Sequence, residues 1–224
     1  MCIGVLEGKF KIKKKKKMKT IAIIPAFNES STIREVIKKT KKYVDKIILV
    51  DDGSNDNTFN EAELADIRLR HIVNIGKGLA LKTGFEAAIN ENADIILTID
   101  SDAQHDPDEI PKFLEKIKDN DIVIGTRQLN KKMPLIFRAG NSLIHYIFRF
   151  LFNLKIKDTQ CGFRAVKANI YPKIKWQALN YAVETEILAK AGKNNLKIAE
   201  IPIKTIYADK YKGTNIIDGI KIIF

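Results

Sequence analysis

The sequence predicts an α/β fold, a largely parallel sheet with helices on both faces. Two observations carry this. Short apolar, β-branched runs alternate with helical patterns through the first half of the chain, and the residues just after each run are polar.

Thr20–Ile24 reads as the first buried strand, and Ser31–Lys42 follows as a helix. Lys46–Val50 is the second strand, and Gly78–Ile89 the next helix. Asp94–Ile99 is the third strand, with no charge from Ile95 to Ile99. The helix over Pro107–Lys118 opens well, because Asp106 can cap it, Pro107 suits a first turn, and Asp108 and Glu109 sit at the positive end of the dipole. Asp121–Ile124 is a shorter fourth strand. No internal repeat and no domain-separating linker is evident.

With 224 residues, 45% apolar and 29% charged, the chain suits one domain with a sizeable core. Cys2 and Cys161 make no disulfide framework and fit a reducing cytoplasm. The net charge of +12 is concentrated. Residues 1–20 hold eight lysines against Glu7, a net +7, which leaves +5 for the rest. That remainder lacks interleaved basic and aromatic clusters, so no nucleic-acid partner is expected. Residues 1–18 read as a disordered basic leader and 19–224 as the folded domain. The lysine run follows a weak apolar start, the reverse of a signal peptide. A polybasic membrane anchor is the alternative.

Ligands of open α/β sheets sit outside the carboxyl ends of the strands. Four clusters lie there: Pro25-Ala26-Phe27-Asn28-Glu29, Asp51-Asp52-Gly53-Ser54, Asp100-Ser101-Asp102-Ala103-Gln104 and Gly125-Thr126-Arg127. Asp100 and Asp102 are so close that one carboxyl should be raised in pKa unless a cation is present. A hard divalent ion, Mg²⁺ or Mn²⁺, suits them, and Gln104 could add an oxygen. The alternative is that Asp100 merely ends the strand and Asp102 caps a turn. Asp52 is suited to a nucleoside's base or ribose, with Asp56 or Asn57 capping the following helix. Gly76-Lys77-Gly78 would let backbone and lysine approach an anion at a helix start, although a plain helix-entry glycine is the simpler reading. Arg127 and Arg138 suit diphosphate or acceptor phosphate, their alternative being a solvated face. In Leu135–Leu154, Asn141, His145, Arg149 and Asn153 form one polar stripe, as on an interfacial helix or an ordinary core helix.

Taken in order, these motifs resemble the family 2 glycosyltransferases, and within them the polyprenyl-phosphate branch. Ile24-Pro25-Ala26-Phe27-Asn28-Glu29, Val50-Asp51-Asp52-Gly53-Ser54, Gly76-Lys77-Gly78, Asp100-Ser101-Asp102-Ala103-Gln104-His105 and Gly125-Thr126-Arg127 carry the resemblance. Asp158-Thr159-Gln160-Cys161-Gly162-Phe163-Arg164 is the segment most particular to the branch. The resemblance implies a GT-A type, Rossmann-like fold. Pro25, Ala26, Phe27, Glu29, Val50 and Asp52 would line the nucleoside side of the donor site, with Lys77 and Ser101 nearby. Asp100, Asp102 and Gln104 would surround the metal and diphosphate. Arg127 would meet the phosphates, and Lys210 or Lys212 on the late Tyr207–Gly213 loop could close over them.

The implied activity is inverting transfer of mannose or glucose from GDP-mannose or UDP-glucose to a polyprenyl or dolichyl phosphate. It would take place peripherally, at the cytoplasmic face of a membrane. A phosphate acceptor is already ionised, so no dedicated base is expected, and Asp100 is the residue on which rate should depend most. A saccharide-hydroxyl acceptor is the rival reading, and it would need a carboxylate base such as Asp158 or Glu184.

Overall fold

The computed structural model describes residues 17–127, 156–204 and 206. The leader up to residue 16, Arg138, the Leu135–Leu154 segment and Lys210 lie outside the described residues.

Among the described residues seven strands form one sheet: β1 (Thr20–Ala26), β2 (Lys46–Asp51), β3 (Ile67–Arg70), β4 (Ile95–Thr98), β5 (Ile122–Arg127), β6 (Arg164–Lys167) and β7 (Ile198–Ile203). Their order is β3-β2-β1-β4-β6-β5-β7. Every pairing is parallel except the two made by β6, which runs antiparallel between β4 and β5. The α/β, mostly parallel expectation therefore holds.

The four expected strands are present, and the sequence reading missed the other three. β3 alternates half-buried and exposed residues as an edge strand, and its four residues are too few to show a period. β6 has a charge at each end and is fixed by pairing with strands distant in the chain, which no local pattern reports.

The helices are α1 (Ile33–Thr40), α2 (Thr58–Glu61), α3 (Lys77–Asn90), α4 (Ile110–Lys116), α5 (Tyr171–Ile174) and α6 (Val183–Lys193). The expected Pro107–Lys118 helix begins as a 3₁₀ turn over Pro107–Glu109 and continues as α4. Asp106 caps it as expected, its side chain accepting from the Asp108 amide. On α1 the buried residues Ile33, Val36, Ile37 and Thr40 make one stripe facing the sheet.

Helix α3 lies across the middle of the sheet because its inner face is small. A Cβ on Gly84 would stand 2.4 Å from Ile23 Cγ2, so glycine sets the closeness of α3 to β1. Phe85 packs against Tyr171 and Trp176 at ring-centroid distances of 5.3 and 5.1 Å. Trp176 donates its indole N–H to the Gly78 carbonyl at 2.8 Å, which ties the chain after α5 to the start of α3.

Candidate active site

The carboxyl ends of β1, β2, β4 and β5 share one rim. After β1 the chain turns through Phe27 and Asn28, the latter at a φ of 55° that Asn tolerates better than most residues. The Asn28 amide donates to Ser54 Oγ at 2.9 Å, the Asn55 amide to Asn28 Oδ1 at 2.9 Å, and the Glu29 amide to Thr58 Oγ1 at 2.8 Å. Asn57 holds the N-cap position of α2 without a side-chain capping bond, and Asp56 before it accepts from the Thr58 amide at 2.9 Å. The loops after β1 and β2 are thus laced together.

Phe27 is exposed and Glu29 half-buried, but Pro25, Ala26 and Val50 are buried within paired strands. They form the floor under the rim.

Asp52 is bonded within the protein. It is buried, and both oxygens serve the protein itself. Oδ1 faces His71 Nδ1 at 2.7 Å and accepts from the Ile75 amide at 3.2 Å, while Oδ2 accepts from the Gly76 amide at 2.7 Å. His71 Nε2 contacts Thr83 Oγ1 at 3.0 Å. This carboxylate is engaged by the protein's own groups. It braces the loop that leads into α3.

The Gly76-Lys77-Gly78 glycines serve packing. Cβ atoms there would meet Leu179 O at 2.3 Å and Ala178 O at 2.1 Å, and the Gly78 amide already donates to Leu179 O at 2.8 Å. The helix start is therefore closed by protein backbone. The lysine between the glycines is what reaches the rim.

Lys77 Nζ stands 2.7 Å from Asp100 Oδ1 and 2.8 Å from Glu184 Oε1, the latter on α6. Burial by itself would push the Asp100 carboxyl up, but the Lys77 ammonium, helped by His105 and Arg127, outweighs it and brings the pKa down to about 2. The expected raised carboxyl is therefore not Asp100, because the cation that its crowding calls for is built in. Lys77 responds in kind: burial opposes its charge, yet Asp100 and Glu184 raise its pKa.

Beyond Asp100 the chain turns through Ala103, a non-glycine residue at a φ of 59°. Such a conformation costs about 1 kcal/mol or more, and here it sits between Asp102 and Gln104. The turn is closed by the Gln104 amide donating to Asp102 Oδ1 at 3.0 Å, and the Gln104 carbonyl accepts from the Ile206 amide at 2.9 Å. Ser101 is buried, and its carbonyl accepts from Thr32 Oγ1 at 2.7 Å. Among the described residues no three His, Cys, Asp or Glu side chains group as a ready metal cage.

At the end of β5, Arg127 is held by Asp158 through Nε at 2.7 Å and Nη2 at 3.0 Å. Burial would raise Asp158, but its bonds to Arg127 lower it, which makes it a poor proton acceptor. Arg164, from the segment read as branch-specific, is fully enclosed. Its guanidinium donates to the carbonyls of Cys161, Glu184 and Thr159 at 2.8, 2.9 and 2.8 Å. It pins the chain around β6 and does not reach the rim.

Sequence reasoning missed Glu184 as the partner of Lys77, His71 as the partner of Asp52, and the placing of His105 Nδ1 3.8 Å from Asp100 Oδ2. None of these pairings follows from local spacing.

Comparison with known proteins agrees with this geometry. The profile of Glycosyl transferase family 2 matches residues 21–174. An uncharacterized protein of Methanocaldococcus jannaschii is 38% identical, covering 90% of this chain and 88% of its own. The UDP-N-acetylglucosamine–dolichyl-phosphate N-acetylglucosaminyltransferase of Methanococcus voltae is 36% identical, covering 90% and 92%. Among solved structures, glucosyl-3-phosphoglycerate synthase of Mycobacterium tuberculosis, crystallised with Mn²⁺, UDP and glucosyl-3-phosphoglycerate, superposes with a TM-score of 0.71. It is 21% identical, with 87% of this chain and 73% of that one covered, and shows the same fold.

Proposed function

Since the chain belongs to glycosyl transferase family 2, we propose that it moves a hexose from a nucleotide-diphosphate donor to a polyprenyl phosphate at the cytoplasmic face of a membrane, acting peripherally. The observation that carries this reading is the state of the carboxylates near Asp100. Glu184 is paired with Lys77 and Asp158 with Arg127, so neither stands ready to take a proton from a hydroxyl. A phosphate acceptor needs no such base. The Methanococcus voltae relative, named for transfer to dolichyl phosphate, supports the same acceptor class. Its name adds UDP-N-acetylglucosamine to GDP-mannose and UDP-glucose as donors to try.

In this reading Asp100 and Asp102, with Gln104, hold Mg²⁺ or Mn²⁺. The residues fit such an ion: two hard oxygen donors on one turn, with Asp100 a quarter exposed, suit a cation that completes its shell with phosphate and water. When bound, the ion supplies charge that stabilises the departing nucleotide diphosphate. The protein's own share is positioning. Phe27 and Glu29 face the nucleoside, Ser101 lies under the donor, and Lys77 and Arg127 face phosphates, with Arg138 and Lys210, outside the described residues, as further candidates to bind them. Direct displacement gives inversion at the anomeric carbon. Among the described residues no helix is long and apolar enough to cross a membrane.

The test supplies purified full-length chain with each labelled donor, Mg²⁺ or Mn²⁺, and a polyprenyl phosphate. Label entering the organic phase as the inverted glycosyl phosphate is expected. Transfer only to water-soluble saccharides would overturn the acceptor assignment.

A further inference from the structure

Resting on the reading of Asp100 as a metal and diphosphate ligand, we propose that His105 is a positioning residue, donating its Nδ1–H to Asp100 Oδ2 and so fixing the plane of that carboxylate.

The imidazole is buried, and Nδ1 has no hydrogen-bond partner of its own. What Nδ1 faces is Asp100 Oδ2, at 3.8 Å. The ring is not free to turn elsewhere. It stacks on Phe163 at 5.4 Å, and Phe163 stacks on Phe113 at 4.2 Å. On its other edge Nε2 meets Cys161 Sγ at 3.9 Å. A carboxylate only accepts, so the nitrogen that faces it carries the proton. The distance is longer than a hydrogen bond, and site hydrogen bonds of this kind tighten when the ligand is bound.

Asp100 is confined from the remaining sides as well. Oδ1 is held by Lys77, and a Cβ on Gly162 would stand 2.5 Å from both oxygens, so the carboxylate rests directly on the Gly162 backbone. Thr98 Oγ1 donates to the Gly162 carbonyl at 2.7 Å and locks that backbone to β4. Cys161, Gly162 and Phe163 are therefore the support of the acidic turn, which gives the segment before β6 a role that its sequence alone does not disclose.

Two amide variants separate the two ring nitrogens. Asparagine places its N–H₂ near the Nδ1 position, and glutamine places it near Nε2, toward Cys161. Mn²⁺ is titrated by electron paramagnetic resonance into the full chain with UDP present. His105→Asn is expected to stay within about threefold of wild type, and His105→Gln to lose roughly 10-fold or more, as for partners that orient metal ligands. Equal affinities for the two variants, with wild type binding, overturn the proposal alone. No Mn²⁺ uptake by wild type overturns the metal reading and the proposal with it. Nitrogen-15 NMR of the wild-type imidazoles needs no variant to fold: a proton on His105 Nδ1 is expected, and its absence overturns the proposal.

Discussion

Lys77 Nζ lies 2.7 Å from Asp100 Oδ1, so the acidic turn at the end of β4 carries a built-in counter-cation. The same ammonium holds the buried Glu184. Lys77→Met leaves that glutamate uncompensated, and removing one partner of a buried pair costs about 3–5 kcal/mol. Urea denaturation should show such a loss, and adding Glu184→Gln should recover part of it. A stable Lys77→Met protein with Glu184 unchanged would show that the pair is not coupled.

Acid should destabilise the protein through Asp100. Its carboxyl is lowered from an ordinary 3.8 to about 2, so the folded state binds this proton less readily than the unfolded chain. The stabilisation is present above pH 4 and is lost as pH falls toward 2, amounting to roughly 2 kcal/mol. In Asp100→Asn this portion of the pH dependence should vanish. Unfolding free energies at pH 4 and pH 2 for both proteins check it.

Gly162→Ala places a methyl 2.5 Å from each Asp100 oxygen, too close for either to stay. The carboxylate must move, so metal-dependent transfer should fall about 10-fold or more. The fold should lose only about 1–3 kcal/mol. Activity and thermal midpoint, measured on one preparation, separate the two effects.

Arg127 and Arg164 should part company. Arg164→Met strips the donors from three enclosed carbonyls and should cost about 3 kcal/mol or more of stability. Arg127→Lys keeps a charge beside Asp158 but loses the fork, so the expected change is in turnover rather than in folding. Denaturation midpoints and initial rates for both variants decide. A folding defect in Arg127→Lys with none in Arg164→Met would reverse the two roles.

Asp102→Ala should abolish the metal response and reduce transfer on the order of 100-fold. Rates with and without Mn²⁺ test this, and an unchanged metal response would remove Asp102 from the site.

The sequence by itself determined the elements whose signals are local. Runs such as Ile47–Val50 and Ile95–Ile99, alternating with helical patterns, read as buried strands, and polar clusters directly after such strands fall on one rim of a parallel sheet. That placed Asp100, Asp102 and Arg127 together before any coordinates. Tertiary structure decided what each polar group does. The antiparallel insertion of β6 sets Gly162 under Asp100, and α6 brings Glu184 to Lys77. Asp52 holds the loop into α3 and Arg164 holds the chain around β6, bonds that the sequence does not disclose. Hydrophobic period is written over a few neighbouring residues, whereas the partner of a buried charge is set by chain segments far apart in sequence. Only the folded chain shows which of those segments meet.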